Sequence, residues 1–122
     1  MGMDVYGKNP QNEKGKYFRN SVWWWRPLWS LIIKLSPDIL TIQDATAGSY
    51  NDGYYIPPDK SKAILERLIA FVSDKTTNQT VIDEIIESFR RSEETESSYP
   101  LDWENIESFI EFISNSEGFE IY

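Results

Sequence analysis

Tyr17-Phe18-Arg19-Asn20-Ser21-Val22-Trp23-Trp24-Trp25-Arg26-Pro27-Leu28-Trp29 is the stretch on which the fold turns. Six of these thirteen residues are aromatic, and an arginine stands on either side of the triple tryptophan. A tryptophan ring buries roughly 200 Å² and its indole N–H needs an acceptor once it leaves water, so such a run either builds a core or grips something. Pro27 sets the local geometry. The residue before a proline is pushed away from the α region, and proline itself suits the first helical turn. The reading is therefore an extended segment from Tyr17 to Trp25, then a helix from Pro27 to Ser36 that stops before Pro37. Leu28, Leu31, Ile32 and Leu35 form its apolar stripe.

In an extended segment Trp23 and Trp25 face one way and Trp24 the other. One side then packs on helices and the other is left for recognition, for which Trp, Tyr and Arg are the most enriched residues. The expected contact surface combines Tyr6, Arg19, Asn20, Trp24 and Arg26. A third reading, insertion at a membrane surface, suits alternating Trp, Arg and Pro but is opposed by the net charge of −8.

Outward from this stretch, Met3-Asp4-Val5-Tyr6 alternates like a short strand and stops at Gly7, and Lys8–Lys16 reads as a loop. Residues 37–58 are irregular. Asn51-Asp52-Gly53 between Tyr50 and Tyr54-Tyr55-Ile56 predicts a small hairpin. Pro58-Asp59 opens a helix with the stripe Ile64, Leu65, Leu68, Ile69 and Val72. Thr80 with Asp83 three residues on has capping-box spacing and predicts a helix burying Val81, Ile82, Ile85, Ile86 and Phe89. Residues 91–99 read as an exposed linker. Asp102 is expected to cap a last helix that buries Trp103, Ile106, Phe109, Ile110 and Ile113 and ends near Gly118. Phe119-Glu120-Ile121-Tyr122 alternates like a closing strand. Strand-like ends are marginal alone and stable when paired in one sheet. The fold class is thus α+β, mostly helical, with about four helices and a small sheet formed by the N- and C-terminal strands, in one domain over residues 1–122.

Composition narrows the chemistry. A chain of 122 residues that is 40% hydrophobic and 15% aromatic is long enough to bury a core. It has no cysteine and no histidine. Disulfides, thiolate metal sites, imidazole bases and the common catalytic zinc sites are therefore absent, and a reducing, cytoplasmic setting is expected. The chain opens without an apolar leader segment. Tyr6 stands where myristoylation wants Ser or Thr, and the apolar run Val22–Leu35 is too short and interrupted to span a bilayer. Charge is divided: residues 1–36 balance at +4 and residues 37–122 at −12. Between Asp83 and Glu120 twelve acids face only Arg90 and Arg91. A negative field of this kind opposes nucleic acid and anionic lipid and favours a basic partner.

The start Met1-Gly2-Met3-Asp4-Val5-Tyr6-Gly7, taken with Tyr17-Phe18-Arg19-Asn20 and Trp23-Trp24-Trp25-Arg26-Pro27-Leu28-Trp29, resembles a family of small, functionally unassigned proteins of bacteria and their phages. The tail Ser116-Glu117-Gly118-Phe119-Glu120-Ile121-Tyr122 is similar to that family's Gly-Phe ending, with Glu117 in place of a second glycine. The resemblance covers both ends and hardly the middle. It implies that the termini and the tryptophan segment form one structural unit, and it carries no functional residues.

Three functional expectations follow. The leading one is a non-enzymatic binding or regulatory module that contacts a protein partner around segment 17–29 and uses no cofactor and no metal. The second is an acidic inhibitor or decoy of a basic nucleic-acid-binding protein. It would act through Asp83, Glu84 and Glu87 on one helix and Glu104, Glu107 and Glu111 on the next, although helix faces of this kind are also ordinary solvated surface. The third is a carboxylate-dependent enzyme, assisted by Mg²⁺ or Ca²⁺, using Asp44, Asp52 or Asp4 beside Arg19. The spacing of Asp38, Asp44, Asp52 and Asp59 fits no calcium loop.

Overall fold

In the computed structural model, residues 2–92 and 99–122 are described, with the side chain of residue 92 set aside. The expected linker 91–99 lies mostly outside them. The chain runs β1 (Gly2–Gly7), a 3-10 turn (Glu13–Gly15), β2 (Tyr17–Ser21), α1 (Val22–Leu35), α2 (Ile42–Ala47), β3 (Tyr54–Ile56), α3 (Pro58–Val72), α4 (Lys75–Ser92), α5 (Trp103–Ser114) and β4 (Phe119–Ile121). The architecture is α+β and mostly helical, with a four-stranded antiparallel sheet in the order β2-β1-β4-β3. The two ends of the chain pair at its centre: Asp4 N–H donates to the Tyr122 carbonyl at 2.8 Å, and Tyr122 N–H to that of Asp4 at 2.7 Å.

The helices cover one face of the sheet. Strand alternation sends Met3 and Val5, Phe18, Ile56, Phe119 and Ile121 into that face, all buried. They meet Trp25, Leu28, Trp29, Leu31 and Ile32 of α1, Ile64 and Leu68 of α3, and Ile106, Phe109, Phe112 and Ile113 of α5. Phe109 is the junction of the aromatic packing, its ring centroid 5.1 Å from Phe18, 5.7 Å from Trp25 and 5.7 Å from Phe119.

The tryptophan stretch departs from its expected form. The strand ends at Ser21 and the helix begins at Val22, so all three tryptophans are helical and Pro27 sits inside α1. Pro27 has no N–H to return to the Trp23 carbonyl, a cost that local preference alone would refuse. Burial overrides it. At helical spacing Val22, Trp25, Leu28, Trp29 and Ile32 share one inward face, and Trp25 and Trp29 stack four residues apart at 5.6 Å. An extended segment would have had to expose half of them. Consecutive helical residues point about 100° apart, so the triple tryptophan divides three ways. Trp25 is fully buried, Trp24 half-buried, and Trp23 is 41% exposed with its ring edge on Tyr99.

Three other boundaries differ. The 51–53 turn closes no hairpin: Gly53 does take a positive φ of 84°, but β3 pairs with β4 instead, Ile56 opposite Phe119, where its side chain reaches the core. Helix α4 starts at Lys75, not near Thr80. Asp74 accepts from the Thr77 N–H at 3.2 Å, and the polar residues Thr76, Thr77 and Thr80 simply line its exposed side. Helix α5 has the expected Asp102 cap, accepting from the Asn105 N–H at 2.8 Å, but ends at Ser114. Gly118 then turns the chain at φ 89°, where an added Cβ would meet the Ile56 carbonyl at 2.7 Å. The stripes hold with small losses, Ile69 being 49% exposed and Trp103 and Ile110 half-buried.

Helix α2 is held by indole hydrogen bonds. Trp25 Nε1–H donates to the Gly48 carbonyl at 2.7 Å, and Trp29 Nε1–H to that of Ala45 at 3.0 Å. Gly48 lies flat on the Trp29 ring, and a Cβ there would stand 2.3 Å from two ring carbons. Gly48→Ala is therefore expected to cost about 1–3 kcal/mol by overpacking. Trp25→Phe, which keeps an aromatic ring but orphans a buried carbonyl, should cost about as much. Urea unfolding followed by circular dichroism reads both.

Candidate functional site

The sheet face away from the helices is covered by no described element, and it is where alternation places the tyrosines. Each follows or precedes a buried residue: Val5-Tyr6, Tyr17-Phe18, Tyr55-Ile56 and Ile121-Tyr122. Tyr6, Tyr17, Tyr55 and Tyr122 are all between 45% and 48% exposed. Tyr6 stands opposite Tyr17 in the register and touches two neighbours, its ring centroid 5.3 Å from that of Tyr17 and 5.7 Å from that of Tyr122.

Charges on this face are matched in pairs. Arg19 donates to Asp4 at 2.6 Å and Tyr17 donates to the same carboxylate oxygen. Lys8 pairs with Glu120, which also accepts from the Tyr122 hydroxyl at 2.7 Å. The Tyr17 and Arg19 hydrogen bonds pull the Asp4 carboxyl below its ordinary value, and Asp4 in turn raises the Tyr17 phenol. Lys8, then Tyr122, lower Glu120. The result is an aromatic, locally neutral surface on a protein of net charge −8.

At the β2 edge this surface adjoins a groove of about 550 Å³ between β2, the start of α1 and the first turns of α5. Arg19, Ser21 and Trp24 line one side, Glu104 and Ser108 the other. Its floor is a reciprocal amide pair: Asn20 Nδ2 donates to Asn105 Oδ1 at 3.0 Å, and Asn105 Nδ2 to Asn20 Oδ1 at 2.9 Å. Of the five contact residues expected from sequence, Arg19, Asn20 and Trp24 meet here, while Tyr6 lies outside the groove, on the open sheet face beside Tyr17 and Tyr122. Arg26 does not meet them either. It lies two residues past Trp24, about 200° further round the helix, in a separate cleft with Trp29 and Tyr50. Tyr17, Tyr55 and Tyr122 were not anticipated, although their strict alternation with buried neighbours was a visible signal.

The acidic helix faces are partly neutralised. Glu107 pairs with Lys75 at 2.5 Å, Glu111 with Lys14, and Glu87 with Arg90 at 2.5 Å and Arg91 at 3.4 Å, while Asp83 accepts from Gln79 at 3.1 Å. Among the described residues no group of three or more acids is placed to hold a metal ion. Asp4 does stand beside Arg19, but bonded to it on the open face. Asp44, expected in an irregular loop, is 3% exposed and serves as the capping-box residue of α2, bonded to the Thr41 N–H at 2.9 Å. Tyr54 Oη and Lys60 Nζ each donate to it at 2.5 Å. This node ties α2 to β3 and α3.

Among the described residues no helix is long and apolar enough to cross a membrane. The class defined so far is a small α+β protein with an antiparallel sheet covered on one face and aromatic on the other. No protein-family model matches the chain, and neither a curated protein nor a solved structure is detectably similar to it.

The Asp44 node has a pH signature. Burial alone would raise its pKa, but the hydrogen bonds from Lys60, Tyr54 and Thr41 outweigh that and hold it at about 2. A depressed carboxylate stabilises the fold above its unfolded pKa, and that contribution is lost as pH falls from about 4 towards 2, amounting to roughly 2 kcal/mol. Its partner Tyr54 is raised to about 12 by the same bond, so its contribution is whole below pH 10 and lost as pH climbs towards 12. Thermal melts across pH should show Asp44→Asn with a lower Tm at pH 7 and a flatter acid limb, and Tyr54→Phe with a flatter alkaline limb.

Proposed function

We propose that the protein is a non-enzymatic binding module, acting in the cytoplasm, that docks a partner protein on the open face of its sheet and the adjoining β2 groove. The observation that carries this reading is the set of four half-exposed tyrosines, three of which, Tyr6, Tyr17 and Tyr122, are held by hydrogen bonds or ring contacts with one another and with Asp4 and Glu120. Rigid Tyr with Arg supplies large contact area at small entropic cost, the chemistry of binding hot spots. Pairwise neutral charge lets a partner approach without opposing the overall negative field. The groove supplies polar specificity through Glu104 and the Asn20–Asn105 amides, with Trp24 as its apolar wall.

The acidic-decoy reading has less support, because Glu87, Glu107 and Glu111 are engaged by basic side chains of the same chain. The carboxylate-enzyme reading has none from Asp44, whose oxygens are committed to a cap and a buried ion pair.

The experiment is affinity capture from the native host at low salt, followed by titration of the purified partner. Tyr6→Ser with Tyr122→Ser should weaken binding by at least about tenfold while leaving the circular dichroism spectrum unchanged. Full binding by that variant refutes the sheet face. Loss of binding on Asp83→Lys with Glu84→Lys, two exposed acids of α4 outside the groove, transfers the function to the acidic helices.

A further inference from the structure

Of the five arginines, four are ion-paired: Arg19 with Asp4, Arg67 with Asp38 at 2.8 Å, and Arg90 and Arg91 with Glu87. Arg26 is the exception, having no carboxylate partner among the described residues in a chain that carries twenty acids. It is also half-buried, and a partly desolvated guanidinium without a counter-charge is an unsatisfied electrostatic demand. Its surroundings are shaped. Arg26, Ser30 and Ile33 lie on one stripe of α1 and face Ser49 and Tyr50 of the segment after α2, with Phe89 of α4 closing the side. Trp29, pinned by its bond to Ala45, forms the floor. The cleft is about 260 Å³, and Arg26 is the one charged side chain among the described residues that line it.

We infer that this cleft is a binding site for a monocarboxylate carried on an aromatic or aliphatic body. The guanidinium fork matches a planar carboxylate in a bidentate pair. The Ser30 hydroxyl, half-buried and one helical turn from Arg26, is a second donor, whereas the Ser49 hydroxyl is already spent on the Ala45 carbonyl at 3.1 Å. Tyr50, which is exposed, offers ring surface for the apolar body, with the edges of the stacked Trp29 and Phe89 rings as floor and side wall. One cation balances one negative charge, and a dianion such as phosphate would enter a field of net charge −8 with half its charge unmatched. The volume suits a single ring or one side chain with its carboxylate. A free small acid and the C-terminus of a peptide present this same group. The site is separate from the sheet face, so each stands or falls independently.

The test is an NMR titration of the full chain with benzoate, with benzamide as its uncharged isostere, and with a tripeptide ending in phenylalanine whose C-terminus is free or amidated. Benzoate, the free peptide or both should move the Trp29 indole N–H and the Ser49 and Tyr50 amides with a Kd of about 1–10 mM, leaving the Tyr17 and Arg19 amides still. The uncharged probes should bind at least about tenfold more weakly, Arg26→Gln should lose binding, and Arg26→Lys should keep part of it. Which acid binds distinguishes a small metabolite from a chain terminus. The inference is overturned if neither acid moves these signals, if benzamide and the amidated peptide match their acids, or if Arg26→Gln, with the rest of its spectrum unchanged, binds as the wild type does.

Discussion

The indole N–H groups of Trp25 and Trp29 tie the tertiary structure together. Both are buried on α1 and both need acceptors, and they find them in the carbonyls of Gly48 and Ala45 at the end of α2. A six-residue helix has little stability of its own, so these bonds, with its capping box, are what hold it against α1. Its placement then carries Asp44 inward to receive Tyr54 from β3 and Lys60 from α3. Loss of the indole bonds would therefore free α2, the edge strand β3 and the start of α3 together. Removing one partner of a buried polar network costs more than the bond itself, because the others are left unsatisfied.

The same packing generates the two surfaces proposed as binding sites. Burying Val5, Phe18, Ile56 and Ile121 forces their neighbours Tyr6, Tyr17, Tyr55 and Tyr122 onto the opposite face, since adjacent strand residues cannot share a side. The tyrosine surface is thus the counterpart of the core. The Arg26 cleft arises in a similar way. Helical turning that points Trp25 and Trp29 inward leaves Arg26 and Ser30 at the margin, where the α2–β3 segment and α4 stop short of filling the space. Among the described residues neither surface holds a group of acids placed to bind a metal ion. Both present aromatic rings with charge either neutralised, on the sheet, or left unmatched, at Arg26.

Much of the architecture was legible from local pattern. β1 and β4 alternate cleanly, α3 opens on Pro58, and α5 carries an Asp102 cap ahead of a regular stripe, so these elements and the pairing of the chain ends follow from the sequence. The site was only partly legible. Arg19, Asn20 and Trp24 meet as expected, whereas Tyr17, Tyr55 and Tyr122 join Tyr6 through strand register. Arg26 leaves the group because α1 starts five residues earlier than Pro27 suggests. The partner of β3 was illegible for a related reason: Asn51-Asp52-Gly53 signals a turn, but which strand Ile56 joins depends on where Phe119 buries its ring.

For the triple tryptophan, the sequence alone determined that its aromatic surface had to be shared between core and exterior, because three adjacent bulky residues cannot face one way in any regular backbone. Only the tertiary structure decided the sharing. Local preference around Pro27 favours an extended Trp23–Trp25. The energy of stacking Trp25 on Trp29, with both indoles bonded to α2, exceeds the one hydrogen bond that Pro27 removes from the helix. That balance is set by residues distant in the chain, and it leaves Trp24 on the groove and Trp23 against Tyr99.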